Sequence, residues 1–177
     1  MPDLLTHYVS SFLVSRPFFK TREALFISFA GLLPDLDALL RVHRWFTHSL
    51  PISYVFWAPV FLGILLYDKK YLKYATMGIS LYTLHVFLDV FCGYTPILWP
   101  FYPAIWLNIG LDGISSQNGI SFSSSFKVLT QSPDFSQRSV VEGPIISETG
   151  VIIFIIAILV IVAENLGRRK MRKIEWM

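Results

Sequence analysis

Apolar residues fall in five runs separated by short polar clusters. Three of these runs are long enough to cross a bilayer or nearly so, since about 17–25 apolar residues are needed. They are Leu50–Tyr67, Tyr74–Cys92 and Ile145–Leu166, the last with a centre, "VIIFIIAILVIVA", that has no polar side chain. Two shorter runs, Leu4–Val14 and Ala24–Leu33, flank "SRPFFKTRE". Each has the length of a buried or re-entrant helix, so the pattern predicts a helical hairpin over residues 1–33 packed against spans at 50–67, 74–92 and 145–166. Residues 93–144 divide in two. "YTPILWPFYPAIWLNIGL" mixes aromatics with three prolines, which excludes a regular helix and suits a segment lying in the membrane interface. "DGISSQNGISFSSSFKVLTQSPDFSQRSVVEGP" is rich in Ser, Gly and Phe and reads as an external loop of short irregular structure. No internal repeat or heptad is visible. The expected architecture is a single all-α domain over residues 1–177, a multi-pass membrane helical bundle.

The charges between the runs orient this bundle. Arg16, Lys20 and Arg22 lie at the tip of the first hairpin, Lys69, Lys70 and Lys73 between the first two spans, and "RRKMRK" after the last. An up-and-down arrangement puts all three clusters on the cytoplasmic face, with the C-terminus. The opposite ends then share the outer face: His7, "PDLD", "HRWFTHS" and the His85–Asp89 end of the fourth helix. Arg41 and Arg44 fall on that outer side against the charge rule, which implies a purpose other than orientation.

Composition agrees with a membrane protein: hydrophobic residues make up 54% and charged residues 15%, against about half and a quarter in soluble domains. The net charge of +3 forms no continuous basic face, so no nucleic-acid partner is expected. Cys92 is the single cysteine; without a CxxC or Cys/His partner it reads as a buried apolar residue. "MPDLLTHYVS" lacks the basic leader, apolar core and cleavage site of a removed signal peptide.

The outer ends carry the chemistry. His85 and Asp89 are four residues apart in an apolar helix, so they share one face and can ligate one metal together. An ionisable residue in a span is costly and points to function; the plainer reading is a buried His–Asp hydrogen bond that pins helices. Asp35 and Asp37 follow Pro34, where the proline interrupts the helix. Capping accounts for one of them easily and for two less well. "HRWFTHS" adds His43, Arg44, Thr47, His48 and Ser49 at the mouth of a span; a histidine there by itself reads as an interfacial residue. With His7, these groups are more than one set of three ligands, the protein share of a catalytic zinc site with an open position. A carboxylate bridging two ions, as in phosphoesterases, would use them economically. Arg44 suits a substrate phosphate, or else faces a lipid headgroup. No GxSxG elbow, HExxH pair or GxxxxGK[ST] loop is present.

Taken in order, "THYVSS", "GLLPDLD", "HRWFTHSL", "HVFLD" and "GYTPILWPF", spanning Thr6 to Phe101, resemble the YdjM-like membrane-bound metal-dependent hydrolases, also called LexA-binding inner-membrane-associated hydrolases. That family is distantly similar to zinc-dependent phospholipase C and the single-strand-specific zinc nucleases. The resemblance implies a phospholipase C-like metal-site core with His7, an Asp of the "PDLD" pair, His48, His85 and Asp89 as ligands, Asp89 bridging two ions. The phospholipases carry a further late histidine and an HxxxE pair. No histidine follows His85 here, so one or two zinc ions are expected rather than three.

The resulting expectation is a metal-dependent hydrolase using metal-activated water on a phosphoester of a lipid or lipid-linked substrate. The assigned ligands are His7, Asp35, His48, His85 and Asp89; Asp37 or Asp35 takes the proton, Arg44 holds the phosphate, and Thr47, Ser49 and His43 support the ligands. Which of Asp35 and Asp37 is the ligand stays open. The alternative is a non-catalytic membrane protein with a structural or transport metal site.

Overall fold

The computed structural model describes residues 3–42, 44, 46–117, 119–130, 136–139 and 144–174. Helix α1 (Leu4–Ser15) begins at Asp3, whose carboxylate accepts the Thr6 backbone N–H at 2.6 Å, a cap that satisfies one of the helix's free donors. Helix α2 (Thr21–Ile27) follows and passes into two 3-10 turns, Ser28–Leu32 and Pro34–Leu40. Pro34 does not break the path as expected. Leu33 stays right-handed helical (φ −59°, ψ −36°) and Pro34 takes the first position of the next turn, where no N–H is required.

Arg41 and Arg44 both have positive φ (59° and 52°), a conformation that costs about 1–3 kcal/mol outside glycine. A 3-10 turn at Phe46–His48 leads into α3 (Leu50–Tyr67), capped by Ser49, and α4 (Leu72–Cys92) returns alongside it. Among the described residues two helices are long and apolar enough to cross a membrane, Leu50–Tyr67 and Lys69–Cys92. Helix α3 is apolar all round, yet only Ser53 is buried in it; Val55, Phe56, Leu62 and Leu66 are exposed. A helix with that pattern and so little protein around it has hydrocarbon as its natural surroundings. Helix α5 (Glu148–Ile174) contains most of the third expected run, 145–166, and packs on α1. Val9, Phe12, Phe19, Ala24 and Ala157 form the core between them.

The all-α multi-pass bundle is not what forms. Strands β1 (Ile105–Ser116) and β2 (Gly119–Thr130) pair antiparallel in unbroken register from Ile105↔Thr130 to Ser116↔Gly119. With this hairpin, and with two qualifying spans among the described residues, the chain is a mixed α/β protein. Ser and Gly suggested an irregular loop there, but the decisive feature is a period of two. The register puts Leu107, Ile109, Leu111, Phe122, Phe126 and Val128 on one face and Asn108, Asp112, Ser121, Ser123 and Lys127 on the other. At its base, Leu107 and Ile109 pack on Val86, Val90 and Ile97, and the Asn108 amide donates to the Val90 carbonyl at 3.0 Å. The hairpin is thereby fixed to the last turns of α4. Cys92, expected to be buried, is exposed at that end.

Candidate metal centre

Four elements meet where α4 ends and α3 begins. Helix α1 supplies His7, the Pro34–Leu40 turn Asp35 and Asp37, the Phe46–His48 turn His48, and α4 His85 and Asp89. His7, His48, His85 and Asp89 are each about 1–2% exposed, while the Asp35 side chain keeps 19% of its surface.

Three imidazole Nε2 atoms and two carboxylates alternate around a common space. Asp89 Oδ1 lies 3.4 Å from His7 Nε2, and its Oδ2 lies 3.2 Å from His48 Nε2. Asp35 Oδ1 closes the circuit, 3.7 Å from His48 Nε2 and 3.4 Å from His85 Nε2. The His7 and His85 rings stack with centroids 3.7 Å apart. Two ligand sets can be drawn on these atoms, His7–His85–Asp89 and Asp35–His48–His85.

The outer nitrogens fix how these rings are presented. His85 Nδ1 is 2.6 Å from the Gly31 carbonyl; a carbonyl only accepts, so Nδ1 carries the proton and Nε2 faces inward with its lone pair. Gly31 permits a close approach here, because a Cβ there would run into the Ser11 side chain. His48 Nδ1 lies 3.1 Å from Asp37 Oδ2, which also accepts from Thr47 Oγ1 at 3.0 Å. Carboxylate–histidine pairs of this kind orient metal-ligating imidazoles and raise their basicity. Arg44 approaches Asp89 Oδ2 through Nε at 3.4 Å and donates from Nη1 to the Tyr94 carbonyl at 2.8 Å.

The charged groups of the ring hold one another's ionisation. Burial alone would lower the His48 pKa, but Asp35, Asp37 and Asp89 raise it well above the ordinary histidine value. Asp35 is opposed by its own burial, yet His48 and His85 hold it below the usual carboxylate range. His48 Nε2, His85 Nε2 and both Asp89 oxygens make no well-formed hydrogen bond among the described residues; each such buried atom costs about 1–3 kcal/mol if left alone. The spacing also fits a metal: bonds of about 2.0–2.1 Å in tetrahedral geometry put neighbouring ligand atoms ~3.3–3.4 Å apart. The separations seen here are 3.2–3.7 Å.

The structure thus brings His7, Asp35, His48, His85 and Asp89 into one ring, with Asp37 and Thr47 behind His48 and Arg44 beside Asp89. Ser49 does not reach the ring: its hydroxyl caps α3 at Ile52 N and donates to the Trp99 carbonyl. His43 lies outside the described residues. Sequence reasoning did not find the Gly31 and Tyr94 carbonyls, since a main-chain acceptor carries no residue signature.

A buried His/Asp ring at one end of two membrane-length helices defines a membrane-associated protein with a candidate cation site. The chain belongs to the YdjM inner membrane protein family, whose family model matches residues 1–170. No curated protein and no solved structure matches it significantly.

Proposed function

We propose that this protein is a membrane-bound metal-dependent hydrolase that cleaves a phosphoester of a lipid or lipid-linked substrate. The observation that carries the reading is the ring of three Nε2 atoms and two carboxylates at 3.2–3.7 Å. Its nitrogen and oxygen donors suit a borderline divalent ion, zinc first. His7, Asp35, His48, His85 and Asp89 would hold such an ion, and Asp89 presents its two oxygens to different imidazoles. Once bound, the ion supplies Lewis-acid activation of water and neutralises charge on a phosphoryl oxygen.

The protein's own groups do the rest. Asp37 orients His48, and the Gly31 carbonyl orients His85. Arg44 positions Asp89. Asp35 stands at the open edge, where Oδ1 faces the ring. A structural site is closed on every side, and the exposure of Asp35 favours an open one.

The basic ends support an orientation with the ring on the outer face and the C-terminus in the cytoplasm. Lys73 Nζ lies over the Phe19 and Tyr74 rings at 5.5 and 4.8 Å. The tip between α1 and α2 therefore sits with Lys69–Lys73, at the end of α4 away from Asp89. Arg16 pairs with Glu164 of α5 at 2.8 Å.

Metal analysis of the purified protein tests the proposal, alongside hydrolysis assays on labelled phospholipids and soluble phosphodiesters. Wild type is expected to retain one or two ions and to turn over at least one substrate class, and His48→Ala and His85→Ala to lose both properties. Unchanged metal content in both variants would sink the site. Retained metal with no hydrolysis of any phosphoester would leave a non-catalytic centre.

A further inference from the structure

Next to the ring lies an apolar groove with a volume of about 380 Å³, between the Pro34–Leu40 turn and α3. Leu33, Leu36, Phe46, Phe56, Trp57 and Val60 line it, with Thr47 and Tyr82 at its inner end. That size and lining are those of a small-molecule site. Leu33 and Leu36, three residues apart in 3-10 geometry, share one face of the turn. Of the carboxylates flanking Leu36, Asp35 belongs to the ring and Asp37 holds His48 from behind, so the groove begins one residue from the ring's open edge. At the inner end the polar atoms are engaged: Thr47 Oγ1 donates to Asp37, and Tyr82 OH donates to the Thr47 carbonyl. Trp57 sinks against Gly78, where a Cβ would meet its ring at 2.6 Å, and this seats the groove wall between α3 and α4.

The occupant follows from the surroundings. The groove runs along α3, a candidate span in which only Ser53 is buried. Val60 lies ten residues into that helix, ~15 Å along its axis at 1.5 Å per residue. That is roughly half the ~30 Å hydrocarbon core, the depth of one leaflet. We propose that the groove holds the hydrocarbon chain of a single-leaflet amphiphile whose phosphoester head sits at the Asp35 edge of the ring. The head assignment rests on the hydrolase reading; the chain assignment does not.

The test uses the full-length protein in nanodiscs of phosphatidylcholine and a long-chain alkyl phosphate with a photoreactive group in its tail. Labelling is expected to saturate, to map to the α3 segment from Phe56 to Val60, and to be displaced by an unlabelled long-chain alkyl phosphate but not by a short-chain one. Val60→Trp, which fills the groove, is expected to cut saturable labelling by about tenfold with metal content unchanged. Phe56→Ala, which widens the groove, is expected to keep it. Unsaturable labelling spread over the exposed faces of α3 and α5, equal in wild type and Val60→Trp, would overturn the proposal, because the groove would then only sample bulk lipid. Saturable, Val60-sensitive labelling in a protein that retains no metal would uphold the groove while the hydrolase reading fell. Retained metal with unsaturable labelling would do the reverse.

Discussion

At the scale of single residues, the two aspartates of "PDLD" are held in different ways, although only one leucine separates them. Asp35 keeps a fifth of its surface and points Oδ1 at two imidazoles. Asp37 is 3% exposed and holds His48 Nδ1 from behind. Asp37→Asn keeps an acceptor there but removes the charge, and such outer partners typically contribute about 10–100-fold in metal affinity. Chelator competition should find that loss with the fold intact, whereas Asp35→Asn, which takes away a ring oxygen, should weaken binding further. Equal affinities for wild type and Asp37→Asn would remove Asp37 from the centre. The spacing of His85 and Asp89 was readable from the chain because a helix sets it. The division of labour between Asp35 and Asp37 was not, because it depends on which side of a 3-10 turn meets His48.

At the scale of elements, the start of α1 is tied to the start of α5. The Asp3 carboxylate accepts from Thr6 and from the Ser147 backbone and hydroxyl. Burial would raise its pKa, but these hydrogen bonds, Ser147 first, bring it below the ordinary value of 3.8. A depressed carboxylate contributes stability that is present above its unfolded pKa and is lost as pH falls through the folded one. Wild type should therefore lose this tie only below about pH 4. Asp3→Ala should lower stability by about 0.5–2 kcal/mol, as for a lost cap, at neutral pH, with the difference from wild type shrinking in acid. Thermal melts across pH measure this, and a difference that grew on acidification would contradict the sign.

The β-hairpin divides at Gly110. Below it, Trp106, Leu107, Asn108 and Ile109 are wholly or partly buried at α4; beyond it, the tip is exposed. Replacing the tip, residues 111–124, with a short turn should leave metal content unchanged. Leu107→Ala should destabilise the α4 end by about 2–5 kcal/mol at most, the range for a buried leucine. Denaturant melts and metal analysis of the two variants separate these roles.

For the whole molecule, the ring and the basic tips lie at opposite ends of the same helices, so a topology experiment reads the orientation directly. In a Cys92→Ser background, Ser123→Cys on the hairpin should react with an impermeant maleimide added outside spheroplasts. Lys70→Cys should react only after permeabilisation. The opposite pattern would place the ring on the cytoplasmic side.

The sequence by itself determined the apolar runs and their lengths, the basic clusters and the sharing of one helix face by His85 and Asp89, because these follow from composition and helical period. It also contained the alternation of the hairpin, which the Ser and Gly content obscured. Tertiary structure decided what depends on contacts between distant segments. These include the Gly31 carbonyl that orients His85, Asp37 behind His48, Arg44 on Asp89 and the seating of Trp57 that shapes the groove. Such contacts are set by packing between elements 10 to 54 residues apart, and local periodicity does not reach across those distances.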